Sequence, residues 1–223
     1  MLIVIPSAGI GKRMRSHGPK ATIKLDDKNT VISRQIAILK KIFPKSKIVI
    51  VVGFEKEKFE NIKDAYIIEN EDYKNTNVSY SIYLALKKFP CSSLLIVYGD
   101  LVFTKDIFVN MPIKKSWVCL DNQKNHRLNE VGFNIVDNKA VYFSYGIQNK
   151  WGQIAFLKDF ELSMFREISA KIDSKRKFCF ELFNEIIDLN GEFECYSKKK
   201  WKMIEIDNIE DIAKAKKLAR SKN

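Results

Sequence analysis

The sequence predicts an α/β protein built on a doubly wound, mostly parallel Rossmann-like sheet that carries an inserted antiparallel hairpin. Three observations point to it. Apolar runs of strand length alternate with helical signals four times within the first 100 residues, the pattern of parallel βαβ units. The first run opens into a glycine-rich loop, Pro6-Ser7-Ala8-Gly9-Ile10-Gly11. The middle of the chain then changes to closely spaced strand signals joined by turn residues, which suits antiparallel pairing.

Leu2 to Ile5 reads as a buried first strand. A helix follows from about Thr30, with Ile32, Ile36, Leu39 and Ile42 on one face. Lys47 to Val52 is a second strand, Glu55 to Lys63 a short charged helix, and Tyr66 to Ile68 a third strand. After the polar loop from Glu69 to Asn77, a helix from Ser79 presents Ile82, Leu86 and Phe89. Leu94 to Tyr98 is the fourth strand, stopping at Gly99-Asp100. Beyond it, Trp117 to Leu120, Glu130 to Val136 and Ala140 to Ser144 read as strands, with Asp137-Asn138-Lys139 as the turn between the last two. They define a β insertion at about 116–158. Asp159 to Ile172 and Phe178 to Leu189 predict two helices, and Met203 to Ile206 a closing strand ended by Asp207. A last helix from Asn208 carries Ile209, Ile212, Ala215 and Leu218. No internal repeat or low-complexity linker interrupts the 223 residues, so the expectation is a single domain over 1–223.

Composition narrows the function. At 46% hydrophobic residues the chain is too apolar for a disordered tail. Its longest apolar stretches, Leu2 to Ile5 and Ser93 to Tyr98, fall far short of the roughly 20 residues that span a bilayer. The net charge of +12, from 39 Lys+Arg against 27 Asp+Glu, would suit a polyanionic partner. Arginine, however, occurs only at 13, 15, 34, 127, 166, 176 and 220, and Lys, Ile and Asn are all abundant. That is the mark of a lysine-biased composition, so no nucleic-acid or membrane partner is predicted, and a nucleic-acid-binding module is kept only as the alternative of another class. The four cysteines, at 91, 119, 179 and 195, lack ligand spacing and read as reduced structural thiols. With no signal-peptide pattern at the start, the expected location is cytoplasmic.

The densest chemical signal is Ser7-Ala8-Gly9-Ile10-Gly11-Lys12-Arg13-Met14, followed by Pro19-Lys20. Glycines after a first strand let backbone N–H groups approach phosphate oxygens, and nearby cations neutralise the charge. A Walker loop is excluded, because Pro6 stands at its first glycine and Arg13 at its Ser/Thr position. A dinucleotide fingerprint lacks its third glycine, replaced by Met14. Four basic residues in one loop, Lys12, Arg13, Arg15 and Lys20, exceed what a plain turn needs.

These residues resemble the signature of the sugar-phosphate and alditol-phosphate cytidylyltransferase superfamily of nucleotidyltransferases, a MobA-like group that includes phosphocholine-type enzymes. Its usual pattern is an apolar strand, Ala-Ala-Gly-x-Gly-x-Arg-Met, a spacer and Pro-Lys. The likeness continues in Asn77-Val-Ser-Tyr-Ser81, in Tyr98-Gly99-Asp100, in Phe180-Glu-Leu-Phe-Asn184-Glu185 and in Trp201-Lys-Met-Ile-Glu205-Ile206-Asp207, all in family order. It implies the nucleotide-diphospho-sugar transferase fold and transfer of a nucleoside monophosphate, with CTP favoured, to a small phosphorylated alcohol, amine or phosphonate such as phosphocholine. A sugar 1-phosphate is the alternative acceptor. A glycosyltransferase would usually show Asp-x-Asp, where this chain has Asp100-Leu101-Val102.

The resemblance also implies roles. Ala8, Gly9, Gly11 and Lys12 would hold the nucleotide, with Asn77 and Ser81 toward base or ribose, although either could simply cap the helix, Asn77 or Ser79 being the natural N-cap. Arg13 and Lys20 would be the catalytic cations, Arg13 by fork geometry and Lys20 against the α-phosphate. Asp100 and Asp207, each at the end of a predicted parallel strand, would hold Mg²⁺, a hard cation suited to oxygen ligands. Trp117, Asp121, Phe133, Tyr145 and Trp151 put aromatic and acidic groups on the insertion, as a quaternary ammonium or amine headgroup would want. Trp117, Asp121 and Trp151 are the acceptor-binding candidates, while the same aromatics could equally fill the core of the hairpin. A homodimer is compatible with the resemblance.

Overall fold

The computed structural model describes residues 1–11, 18–121, 128–198 and 200–221. Its first half follows the predicted alternation: β1 (Leu2–Ser7), α1 (Val31–Ile42), β2 (Lys47–Val52), β3 (Tyr66–Glu69), α2 (Val78–Lys88) and β4 (Ser93–Val97). The helix starts have local causes. Thr30 and Ser33 form a capping box ahead of α1, and the Asn77 side chain accepts from the Val78 N–H at the start of α2. The predicted charged helix near residue 55 is only a 3-10 turn, Lys56–Phe59, because Phe59 alone is buried and no apolar stripe exists to hold a longer one.

The second half contains β5 (Leu101–Phe103), β6 (Trp117–Leu120), β7 (Val131–Val136), β8 (Lys139–Tyr145) and β9 (Trp151–Lys158). Helices α3 (Asp159–Ser169) and α4 (Cys179–Asp188) follow, then β10 (Phe193–Tyr196), β11 (Met203–Glu205) and α5 (Ile209–Arg220). Nine strands form one sheet in the order β3-β2-β1-β4-β9-β6-β10-β8-β7, and β11 pairs with β5 apart from it. Strands β3, β2, β1 and β4 run parallel, whereas β9 is antiparallel to both β4 and β6.

The hairpin forms where predicted. Asp137 and Asn138, both at positive φ, make the tight turn between β7 and β8. Its setting differs from a separate insert, since β6 and β9 are interior strands of the main sheet and the hairpin extends that sheet to its far edge. Strands β5, β9 and β10 are absent from the sequence reading. β9 is buried on both faces, so it lacks the alternation that marks a strand, and Gly152 breaks its apolar run. β5 and β10 are only three and four residues long.

Alternate residues of β1 explain the double winding. Leu2 and Val4 pack with Ile82 and Leu86 of α2, Phe165 of α3 and Phe183 of α4. Ile3 and Ile5 face the other way, with Ile32, Ile36 and Leu39 of α1. The small β5–β11 ladder is covered by α5 through Val102, Ile206, Ala215 and Leu218. The four cysteines are free, and among the described residues no helix is long and apolar enough to cross a membrane.

Candidate active site

The loop after β1 lies at the carboxyl end of the parallel strands, where open α/β sheets bind ligands. It is pinned on both sides: Phe54 N–H donates to the Ala8 carbonyl at 3.2 Å, and Gly99 N–H to the Pro6 carbonyl at 3.3 Å. A Cβ at Gly99 would collide with Ser7 Oγ, so glycine allows β1 and the end of β4 to come together. Ala8, Gly9 and Gly11 line one side of a cavity, and Asn77 and Ser81 of the α2 start line the other. Ser81 is buried and accepts from Asn70 Nδ2 at 3.2 Å. Lys12 and Arg13 lie outside the described residues.

Two charged side chains of this cavity's wall, Lys20 and Asp100, meet a third, Asp207. Lys20 Nζ lies 2.7 Å from Asp207 Oδ1 and 3.1 Å from Asp100 Oδ2. The ladder register brings the two aspartates together. Glu205 pairs with Leu101, and Ile206 N–H donates to the Asp100 carbonyl at 3.0 Å, which sets the residue after it beside Asp100. Asp207 is therefore not at the end of a parallel strand, as the sequence predicts. It follows β11, antiparallel to β5, and its N–H donates to Asp211 in the first turn of α5. Burial alone would lower the Lys20 pKa, but the charges of Asp100 and Asp207 and their hydrogen bonds outweigh it and leave it raised, so the ammonium form is fixed.

Sequence reading misses the third carboxylate. Ligand atoms of Asp100, Glu205 and Asp207 all lie within 4.8 Å of one another. The i, i+2 spacing of Glu205 and Asp207 was the available signal, because such residues share a face in extended chain. Burial first, then the negative charges of Asp100 and Asp207, raise the Glu205 pKa to about 7. The set fits a divalent cation: three hard oxygen donors converge, and Asp100 Oδ1 is buried with no hydrogen-bond partner.

A second cavity opens on the other side of this cluster. Lys20, Tyr98 and Asp100 line both cavities, so the two meet there. The second is walled by Tyr145, Trp151, Phe178 and Phe180, and Glu130, Glu205 and Asp207 join Asp100 as its carboxylates. Lys150 also lines it, 2.7 Å from Glu130, 3.3 Å from Glu205 and 4.0 Å from Asp121. No local pattern in the sequence marks Lys150. Its partners come from the stretch before β7, from β11 and from the end of β6, and only the folded sheet assembles them.

The acceptor candidates separate clearly. Trp151 is at the cavity, its ring edge-on to Tyr98 and its indole N–H donating to the Ile154 carbonyl. Trp117 must be corrected: it is 0% exposed, stacks on Phe156 and donates its indole N–H to the Pro112 carbonyl, so it is core and cannot touch an acceptor. Phe133 is likewise buried against Phe143. Asp121 is not in the cavity wall; it lies 4.0 Å from Lys150, which is.

Residues 1–89 match the family of IspD, 2-C-methyl-D-erythritol 4-phosphate cytidylyltransferase. No curated protein matches the chain in sequence. Among solved structures, CTP:phosphocholine cytidylyltransferase from Streptococcus pneumoniae is 20% identical, with a TM-score of 0.77 over 98% of this chain and 99% of that one. The inositol-1-phosphate CTP transferase from T. maritima is 14% identical, with a TM-score of 0.77 over 100% and 97%. A UDP-glucose pyrophosphorylase bound to UDP-glucose is 11% identical, with a TM-score of 0.75 over 100% and 99%. At these identities the likeness establishes the fold, which is that of nucleotidyltransferases of known structure.

Proposed function

We propose that the chain is a divalent-metal-dependent nucleotidyltransferase that transfers CMP from CTP to a small phosphorylated alcohol, amine or phosphonate, with phosphocholine as the representative acceptor, and releases pyrophosphate. The observation that carries this reading is the meeting of two cavities at Lys20, Tyr98 and Asp100, with Asp207 beside them, one walled by a glycine-rich loop and one by aromatic rings and carboxylates. The match of residues 1–89 to a cytidylyltransferase family supports cytosine as the base.

The reaction joins two polyanions. An acceptor phosphate oxygen bonds to the α-phosphorus of the nucleotide as the bond to the bridging oxygen breaks and its electron pair leaves with pyrophosphate. The second pKa of a phosphate monoester is about 6, so the attacking oxygen is already ionised at neutral pH and no general base is required. Catalysis then rests on holding the reactants in line and compensating charge. Lys20 would serve the second task, with an ammonium that stands where the cavities join and stays protonated. Backbone N–H groups of residues 8–11 would receive the phosphates of the leaving group. Asp100, Glu205 and Asp207 would hold Mg²⁺, whose chemistry there is to neutralise phosphate oxygens. On the acceptor side, four carboxylates (Asp100, Glu130, Glu205, Asp207) face two ammonium groups (Lys20, Lys150) among aromatic rings. The aromatic rings, rather than the carboxylates that Mg²⁺ would neutralise, favour a cationic headgroup over a neutral sugar.

Pyrophosphate release, measured with CTP, UTP, GTP and dTTP against phosphocholine, phosphoethanolamine, 2-aminoethylphosphonate and common sugar 1-phosphates, tests the reading. CTP with one of the first three acceptors should turn over fastest. Faster turnover with a sugar 1-phosphate would move the chain to the alternative class, and no turnover in any combination would reject both.

A further inference from the structure

One stretch of main chain, residues 174–180, lines the acceptor-side cavity with Phe178 and Phe180 and hydrogen-bonds the start of α2, whose Asn77, Val78 and Ser81 line the other cavity. At its start, four successive carbonyls face the first turn of α2. Ser79 Oγ donates to the carbonyls of Ser174, at 3.0 Å, and Lys177. The Asn77 N–H donates to Lys175 at 2.7 Å, and Asn77 Nδ2 to Arg176 at 3.3 Å. The Lys175 ammonium lies 5.2 Å from the centre of the Tyr80 ring. Downstream, Phe178 and Phe180 stack on each other at 5.8 Å, and both meet Tyr145 edge-on as part of the acceptor-side wall. Between them, Cys179 is buried and hydrogen-bonds the hydroxyl of Tyr98, which lines both cavities.

Ser79 is the joint of this strap. It is fully buried at the second position of α2, where the cap is already supplied by Asn77, so the helix itself has no need of its hydroxyl. Both partners of that hydroxyl lie on the strap, and its helical neighbours Asn77, Val78 and Ser81 form the nucleotide-side wall.

We infer that Ser79 is a positioning residue that couples the two substrate cavities. A headgroup bound against Phe178 and Phe180 orders the strap, the strap's carbonyls fix the start of α2, and the nucleotide then meets a wall already in place. Ordering by the first ligand reduces what the second must order, which gives positive cooperativity with little movement. By linkage the effect is reciprocal, and couplings of this kind are typically about 5–150-fold in affinity. The inference rests on the nucleotidyltransferase reading and deepens it.

The test is calorimetric binding of α,β-methylene-CTP, which cannot be turned over, in Mg²⁺ buffer with and without saturating phosphocholine, phosphoethanolamine or 2-aminoethylphosphonate. In the wild-type protein at least one acceptor should tighten nucleotide binding by about tenfold. In Ser79→Ala the gain should fall toward one, a loss that mere destabilisation of a folded protein would not produce. Tyr98→Phe, which keeps the ring and removes the hydroxyl bound to Cys179, should also lose it and serves if Ser79→Ala does not fold. Equal nucleotide affinity with and without every acceptor in the wild type, or an undiminished gain in the folded variants, overturns the coupling. Nucleotide that binds in no condition overturns the nucleotidyltransferase reading beneath it.

Discussion

Replacing Lys20 by Met keeps the stem and removes the ammonium from between Asp100 and Asp207. The carboxylates of Asp100, Glu205 and Asp207 then stand within 4.8 Å of one another with no cation between the two aspartates. Removing one partner of a buried ion pair costs about 3–5 kcal/mol. The side chains here keep 18%, 18% and 10% exposure, so solvent relieves part of that, and about 3 kcal/mol is the expected loss without divalent metal. For a chain of this length 1 kcal/mol moves Tm by about 2–4 °C, so Tm in EDTA should drop by about 6–12 °C. Saturating Mg²⁺ should raise Tm more in Lys20→Met than in wild type, because the ion meets carboxylates that no ammonium already neutralises. Turnover at saturating substrates should fall by about 10²–10³-fold, as for other lost donors at developing charge. Differential scanning fluorimetry with and without EDTA, beside a pyrophosphate-release assay, reads both effects. A variant that melts within about 1 °C of wild type in EDTA, or keeps more than about a tenth of its turnover, would refute the placement of Lys20 at the charge centre.

Asp100→Asn and Asp207→Asn should each lower turnover by orders of magnitude while circular dichroism stays native, and EDTA should abolish wild-type turnover until Mg²⁺ is restored. Gly9→Ala should raise KM for the nucleotide yet leave Tm unchanged, because a Cβ there meets no protein atom within 4 Å and Gly9 lines the cavity. Trp117→Ala should cost about 3–5 kcal/mol in urea unfolding, with KM for the acceptor unchanged in the folded fraction.

What could be read from the sequence follows the range of the interactions. The strands and helices of the first half announce themselves because each is a local pattern: an apolar run, a cap such as Thr30 or Asn77, a glycine loop. Lys20, Asp100 and Asp207 could be singled out because each lies in a short recognisable motif. Their convergence could not, since it depends on the β5–β11 register. The two tryptophans show the limit most plainly. Trp117 and Trp151 both begin strands, and only the strand order, with β6 between β9 and β10, determines that one ring is sealed in and the other meets the cavity. Lys150 and Glu130 were invisible for the same reason, as an ion pair across 20 residues carries no periodic signature.

The two bonds of the Lys20 ammonium span 80 and 187 residues of chain. During synthesis, the glycine loop and its parallel strands leave the ribosome long before Asp207 exists. A nascent chain can therefore build the nucleotide-side wall while its charge centre is still missing a carboxylate. Contacts of such long sequence separation form slowly, so recovery of catalysis after refolding should lag behind recovery of helix signal. On that expectation the short β5–β11 ladder would be the closing step of assembly, tying the onset of activity to completion of the fold.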